Sequence, residues 1–100
     1  MKLTLLERIL ILNVLPAKGS FTDLIVKEDV AKKVAITQDE IQKLEIKSDD
    51  KGLHWKQTDK VWDIDFKDLE KDLIKKQLKE LDEKKELTGE HLSLYRAFVG

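Results

Sequence analysis

The chain has 100 residues, 41% of them hydrophobic and 39% charged, with a formal net charge of −1 and no cysteine. That length makes a single domain spanning residues 1–100 with room for only a modest core, and the near balance of charge gives no strong pull toward nucleic acid or a membrane. Without cysteine there is no disulfide, no thiol nucleophile and no thiolate metal site, a pattern that suits a cytoplasmic protein.

The opening run KLTLLERILILNVLPAKGSF is apolar enough to ask whether it is a leader, an anchor or a buried helix. Glu7 and Arg8 interrupt it, the cleavage context is poor, and it falls short of the roughly 20 apolar residues that a membrane span needs. It reads instead as a core helix from Leu5 to Val14, because Thr4 and Glu7 have capping-box spacing and Pro16 and Gly19 end the run. At 100° per residue, Leu5, Leu6, Ile9, Leu10 and Leu12 share one broad face with Asn13 among them, and Glu7, Arg8 and Ile11 point away. Asn13 is therefore expected to be buried, with its amide hydrogen-bonded to backbone.

A cap at Ser20 and a stripe of Val26, Val30 and Val34 predict a second helix over residues 22–34, and Thr37 with Glu40 predicts a short third helix carrying Ile41 and Leu44 inward. The pattern then turns alternating. Two strands around Asp49-Asp50-Lys51-Gly52 predict a hairpin, and VWDIDF, with Trp62, Ile64 and Phe66 on one side, predicts a third antiparallel strand beside it. Trp55 and Trp62 are expected in the core on one face of that sheet. From Asp68 the helical period returns through Leu69, Leu73, Ile74, Leu78 and Leu81, and Thr88 caps a last helix on which His91, Leu94, Tyr95, Phe98 and Val99 form a face. The fold class expected is α+β: helices packed on one face of a small three-stranded antiparallel meander, with a C-terminal helical hairpin.

The chemistry-bearing residues do not form a catalytic pattern. Asp59, Asp63, Asp65 and Asp68 read as a solvated charge ladder, answered by Lys47, Lys56 and His54 across the sheet. Asp49-Asp50-Lys51-Gly52 lacks the remaining calcium-loop ligands and reads as a turn. No HxxxH, HExxH, GxSxG, P-loop or GxGxxG occurs, so no catalytic, metal or cofactor residue is assigned and an enzyme is not expected. The element order also fits a winged helix. However, its recognition helix would be ITQDEIQKLEI, which opens with Asp39 and Glu40 where phosphates approach, and both arginines, Arg8 and Arg96, lie elsewhere. Nucleic-acid binding is thus the second reading.

LTLLERILILNVLPAKG at the start and LTGEHLSLYRAFV at the end resemble small phage- and prophage-encoded proteins of about this length. The resemblance implies a cytoplasmic accessory protein that acts by binding another protein or itself, and it assigns no functional residues. The expected interface joins the first and last helices through Ile11, Leu94, Tyr95, Arg96 and Phe98, since Ile11 lies on the charged side of its helix and aromatic and arginine side chains are enriched at interface centres. Packing of the same residues on one another within one chain is the competing expectation.

Overall fold

Short polar side chains at the right offset start three of the helices. In the computed structural model, which describes residues 1–100, Thr4 Oγ1 accepts from the Glu7 N–H at 3.2 Å and the Glu7 carboxylate accepts from the Thr4 N–H at 2.9 Å, so helix α1 runs Leu5–Val14. Ser20 accepts from the Asp23 N–H at 3.1 Å and opens α2, Phe21–Val34. Thr37 and Glu40 close a second reciprocal box at α3, Gln38–Lys43. At α4, Asp68–Glu83, the Glu70 carboxylate takes the Lys67 N–H at 2.7 Å. A 3-10 turn at Gly89–His91 leads into α5, Leu92–Phe98.

The sheet is where expectation and structure part. Four short strands are present: β1, Lys2–Leu3; β2, Lys47–Asp49; β3, Gly52–His54; and β4, Trp62–Asp63. β2 and β3 form the expected hairpin, with Ser48 opposite Leu53 and Gly52 supplying a φ of 112° at the turn. β4 does not join them; it pairs antiparallel with β1, Leu3 opposite Trp62. The fold is therefore α+β with two separate two-stranded sheets, and the three-stranded meander is corrected. The physical reason is burial. Every residue of β2 and β3 is exposed, whereas Leu3 in β1 is fully buried, so β4, with Trp62 on it and Ile64 and Phe66 just after it, gains more by pairing beside Leu3.

Leu3, Ile11, Val30, Val34, Ile74 and Leu78 centre the core, with Leu94 closing it. The stripe along α2 and the inner face of α4 are as the periodicity predicts, although Leu69 remains 64% exposed. α5 packs on α4 at the chain's end, with the Phe98 and Phe66 rings edge to face at 5.8 Å and Tyr95 Oη donating to Asp82 at 3.3 Å. No helix is long and apolar enough to cross a membrane.

Helix α1 is turned from its expected orientation. Ile11 is fully buried, Arg8 is buried, and Asn13 is exposed, the reverse of the sequence expectation for all three. Because α1 is apolar around nearly its whole circumference, its sequence period selects no unique inward face. Arg8 decides it by reaching into the protein toward α2 and α3. In consequence the arc assigned to the core is split: Leu5 and Leu10 are buried, Leu6 and Ile9 are half-buried, and Asn13 is exposed.

Candidate functional site

Two charged clusters lie inside the fold, and both are occupied with holding it together. The Arg8 guanidinium donates to the Glu40 carboxylate at 2.6 and 3.1 Å and to the carbonyls of Val34 and Ala35, which are otherwise free at the end of α2. Trp62 covers its face at 4.6 Å, with Lys60 Nζ 5.3 Å from the same ring. The Arg8 hydrogen bonds hold the Glu40 carboxyl down at about 2; burial opposes the shift, and the Thr37 N–H adds to it. The second cluster joins α2 to α4: Lys33 donates to Glu70 Oε1 and, at 2.9 Å, to the Asp65 carbonyl. Burial pushes the Glu70 carboxyl up, but hydrogen bonds from Lys33 and the Lys67 N–H outweigh it and the net direction is down. Neither cluster opens onto a cleft, so neither presents a reacting atom to a substrate.

The acidic ladder is dispersed on the surface. Asp59, Asp63, Asp65 and Asp68 are all exposed, and no group of three or more His, Asp or Glu converges anywhere in the fold. His54 pairs with Asp49 within its own hairpin at 3.1 Å, not with β4. His91 Nδ1 accepts the Thr88 N–H at 3.0 Å, which leaves the proton of the neutral ring on Nε2.

Of the hollows on the surface, the one with the most apolar lining runs along α1. Leu6, Ile9 and Leu10 meet Leu53 and Trp55 of the β2–β3 hairpin around a hollow of about 280 Å³, with Glu90 at its rim. Trp55 is half-buried there and Leu53 is 41% exposed. Past Asn13 lies a second hollow of about 220 Å³, where Gln77 and Glu80 of the last turns of α4 and its C-cap Lys84 face Val14 and His91. Asn13 lines both, so the two form one groove with an apolar end and a polar end. From Leu6 to Asn13 it follows two turns of α1, about 10 Å. At the polar end, where α1 and α4 finish, the C-cap Lys84 places its ammonium beside the Glu80 carboxylate and the carbonyl ends of the helices, while Glu90 lies at the rim of the apolar end.

The expected interface residues are placed mostly inside. Ile11 and Leu94 are fully buried and unavailable to a partner, Phe98 is half-buried against Phe66, and only Arg96 is exposed outright. Tyr95 is half-buried, its hydroxyl pushed up by burial and by the Asp82 carboxylate that it donates to. Trp55 and Trp62 are half-buried rather than core. Sequence reasoning missed Leu6, Ile9 and Leu53 as groove residues. The available signal was that α1 carries more apolar side chains than one neighbouring surface can cover. No family model matches the chain, and no curated protein or solved structure matches it.

Proposed function

We propose that this chain is a non-catalytic accessory protein that works by binding another protein, in the phage-type role its terminal segments suggest, and that the groove along α1 is the binding surface. The observation that carries this reading is the half-open apolar arc of Leu6 and Ile9 facing Leu53 and Trp55. A monomer gains from covering such side chains, and a concave apolar hollow with a polar rim is the form that partner sites commonly take. The test is capture from host lysate by wild type and by two folded variants. A partner held by wild type and by Phe21→Lys, but lost by Ile9→Lys, supports the reading; one lost only by Phe21→Lys overturns it.

A second reading, a winged-helix-like DNA-binding regulator, is favoured by one observation: α2, a three-residue connection, α3 and the β2–β3 hairpin follow in that order. Glu40 is turned inward onto Arg8, which removes one of the two acids from the approach to α3, while Asp39 stays exposed. Anisotropy titration with duplex DNA at stepped salt separates the two readings. Phosphate contacts give a steep fall of affinity with salt, and no binding at low salt excludes this one.

A further inference from the structure

All 13 buried residues lie outside residues 36–60, the stretch that holds α3 and the β2–β3 hairpin. Nor is any apolar side chain of that stretch in the core cluster or among the half-buried ones packed on it. Within itself the stretch is joined: the Ile46 N–H donates to the Ile41 carbonyl at 3.0 Å and the Lys56 N–H to the Leu44 carbonyl at 2.7 Å, which ties the hairpin to α3. To the rest of the chain it is joined by two hydrogen bonds only, those from Arg8 to Glu40. Its apolar contact with α1 is incomplete, since Leu53 and Trp55 face Leu6, Ile9 and Leu10 across a hollow of about 280 Å³.

We infer that residues 36–60 form a lid over α1, latched by Arg8 and Glu40, that opens as one unit while the rest of the chain stays folded. Few buried apolar contacts and few bonds across a boundary mark a segment that opens at a lower free energy than global unfolding. The latch can open without stranding its cation. Arg8 keeps the Val34 and Ala35 carbonyls and the face of Trp62, all of them outside the lid, and Glu40 returns to water. A six-residue helix and a lone two-stranded hairpin are each too short to persist unsupported, so the lid loses its helix and strands as it leaves. Opening parts the two walls of the groove, because Leu6, Ile9 and Leu10 belong to the body and Leu53 and Trp55 to the lid. The motion stands on burial and bonding alone and holds whether or not the groove binds a partner; where it does, the latch sets the width of the site.

Amide hydrogen exchange of the whole chain, read by NMR under native conditions at rising urea and corrected for intrinsic rates, tests this. The N–H groups of Ile41, Leu44, Ile46 and Lys56, all hydrogen-bonded within the lid, should exchange as a group. They should do so about tenfold or more faster than amides inside α1, α2 and α4, and with a weaker dependence on urea, because opening the lid exposes less surface than unfolding the chain. Ile74→Val weakens the body equally in the open and closed forms, so it should speed exchange in α2 and α4 several-fold and leave the lid amides at their wild-type rate. Glu40→Gln loosens the latch while keeping a side chain that can cap α3, and should speed lid exchange about tenfold or more. Lid amides that share the urea dependence of the body, or that speed up with it in Ile74→Val, show that the chain opens only as a whole and overturn the inference. A Glu40→Gln lid that exchanges at the wild-type rate overturns the latch. No partner enters these measurements, so their failure and the failure of lysate capture are read separately.

Discussion

Glu40 and Glu70 are both acids drawn inward to meet a cation from another helix, and the fold answers them unequally. Glu40 uses both oxygens: Oε1 takes the Thr37 N–H and one Arg8 nitrogen, and Oε2 takes the other Arg8 nitrogen. Glu70 places Lys33 and the Lys67 N–H on Oε1, while its Oε2 is buried and accepts no hydrogen bond. The better-satisfied acid is also the more accessible, at 18% side-chain exposure against 3%. The difference lies in the cation. Arginine's planar fork fills two carboxylate oxygens and two carbonyls at once, whereas the lysine ammonium, a compact point charge, reaches one Glu70 oxygen and the Asp65 carbonyl. The first pair therefore ties three helices together, and the second holds two with a donor to spare.

Removing the fork should have the largest effect. Arg8→Leu keeps the apolar volume but leaves Glu40 and the Val34 and Ala35 carbonyls without their donor, and should cost about 3 to 5 kcal/mol in urea unfolding. A loss below about 1 kcal/mol would reduce Arg8 to the rank of a surface pair.

Next comes acid. The Glu40 carboxyl sits at about 2 in the folded chain against an ordinary value of 4.5. A depressed folded value gives stability that is complete above about 4.5 and is lost as pH falls toward 2, amounting to about 3 kcal/mol. Glu70, also lowered, acts in the same direction. Urea midpoints measured from neutral pH downward should fall across that window in wild type and fall less steeply in Glu40→Gln.

Breaking the weaker pair should do less. Lys33→Met leaves Glu70 with one backbone donor, at a cost of about 1 to 3 kcal/mol. With burial then unopposed by the ammonium, carboxyl NMR should show Glu70 titrating above its wild-type position; an unchanged titration would mean that Lys33 does not hold it.

The smallest change sharpens the contrast most. Glu70→Gln removes a charge whose second oxygen accepts nothing and should alter stability by no more than about 1 kcal/mol, while Glu40→Gln should cost about 2 kcal/mol or more. Equal losses at the two positions would show that hydrogen-bond satisfaction does not distinguish them.

Helix starts were readable because capping is local: Thr4, Ser20 and Thr37 act on N–H groups three residues away. The Val30–Val34 stripe, the hairpin turn at Gly52 and the inward Leu73, Ile74 and Leu78 follow from periods of 3.6 and 2 that any chain must obey. The groove was not readable. Leu6 and Ile9 share the apolar arc of the sequence with Leu10, and only the rotation of α1 leaves them half-buried while Leu10 is buried.

The helices, the hairpin and their order are thus written in the chain itself, since each depends on residues within a turn or two of one another, whereas β1, which exists only by pairing with β4, was not read. Two matters were settled by long-range packing. The partner of the Trp62 strand was chosen by the burial of Leu3, almost sixty residues distant. The rotation of α1 was chosen by a guanidinium finding a carboxylate 32 positions along the chain. Both are competitions between long-range contacts whose energies exceed the small differences in local propensity, and a periodicity argument on a helix that is apolar on nearly every side has no term with which to rank them.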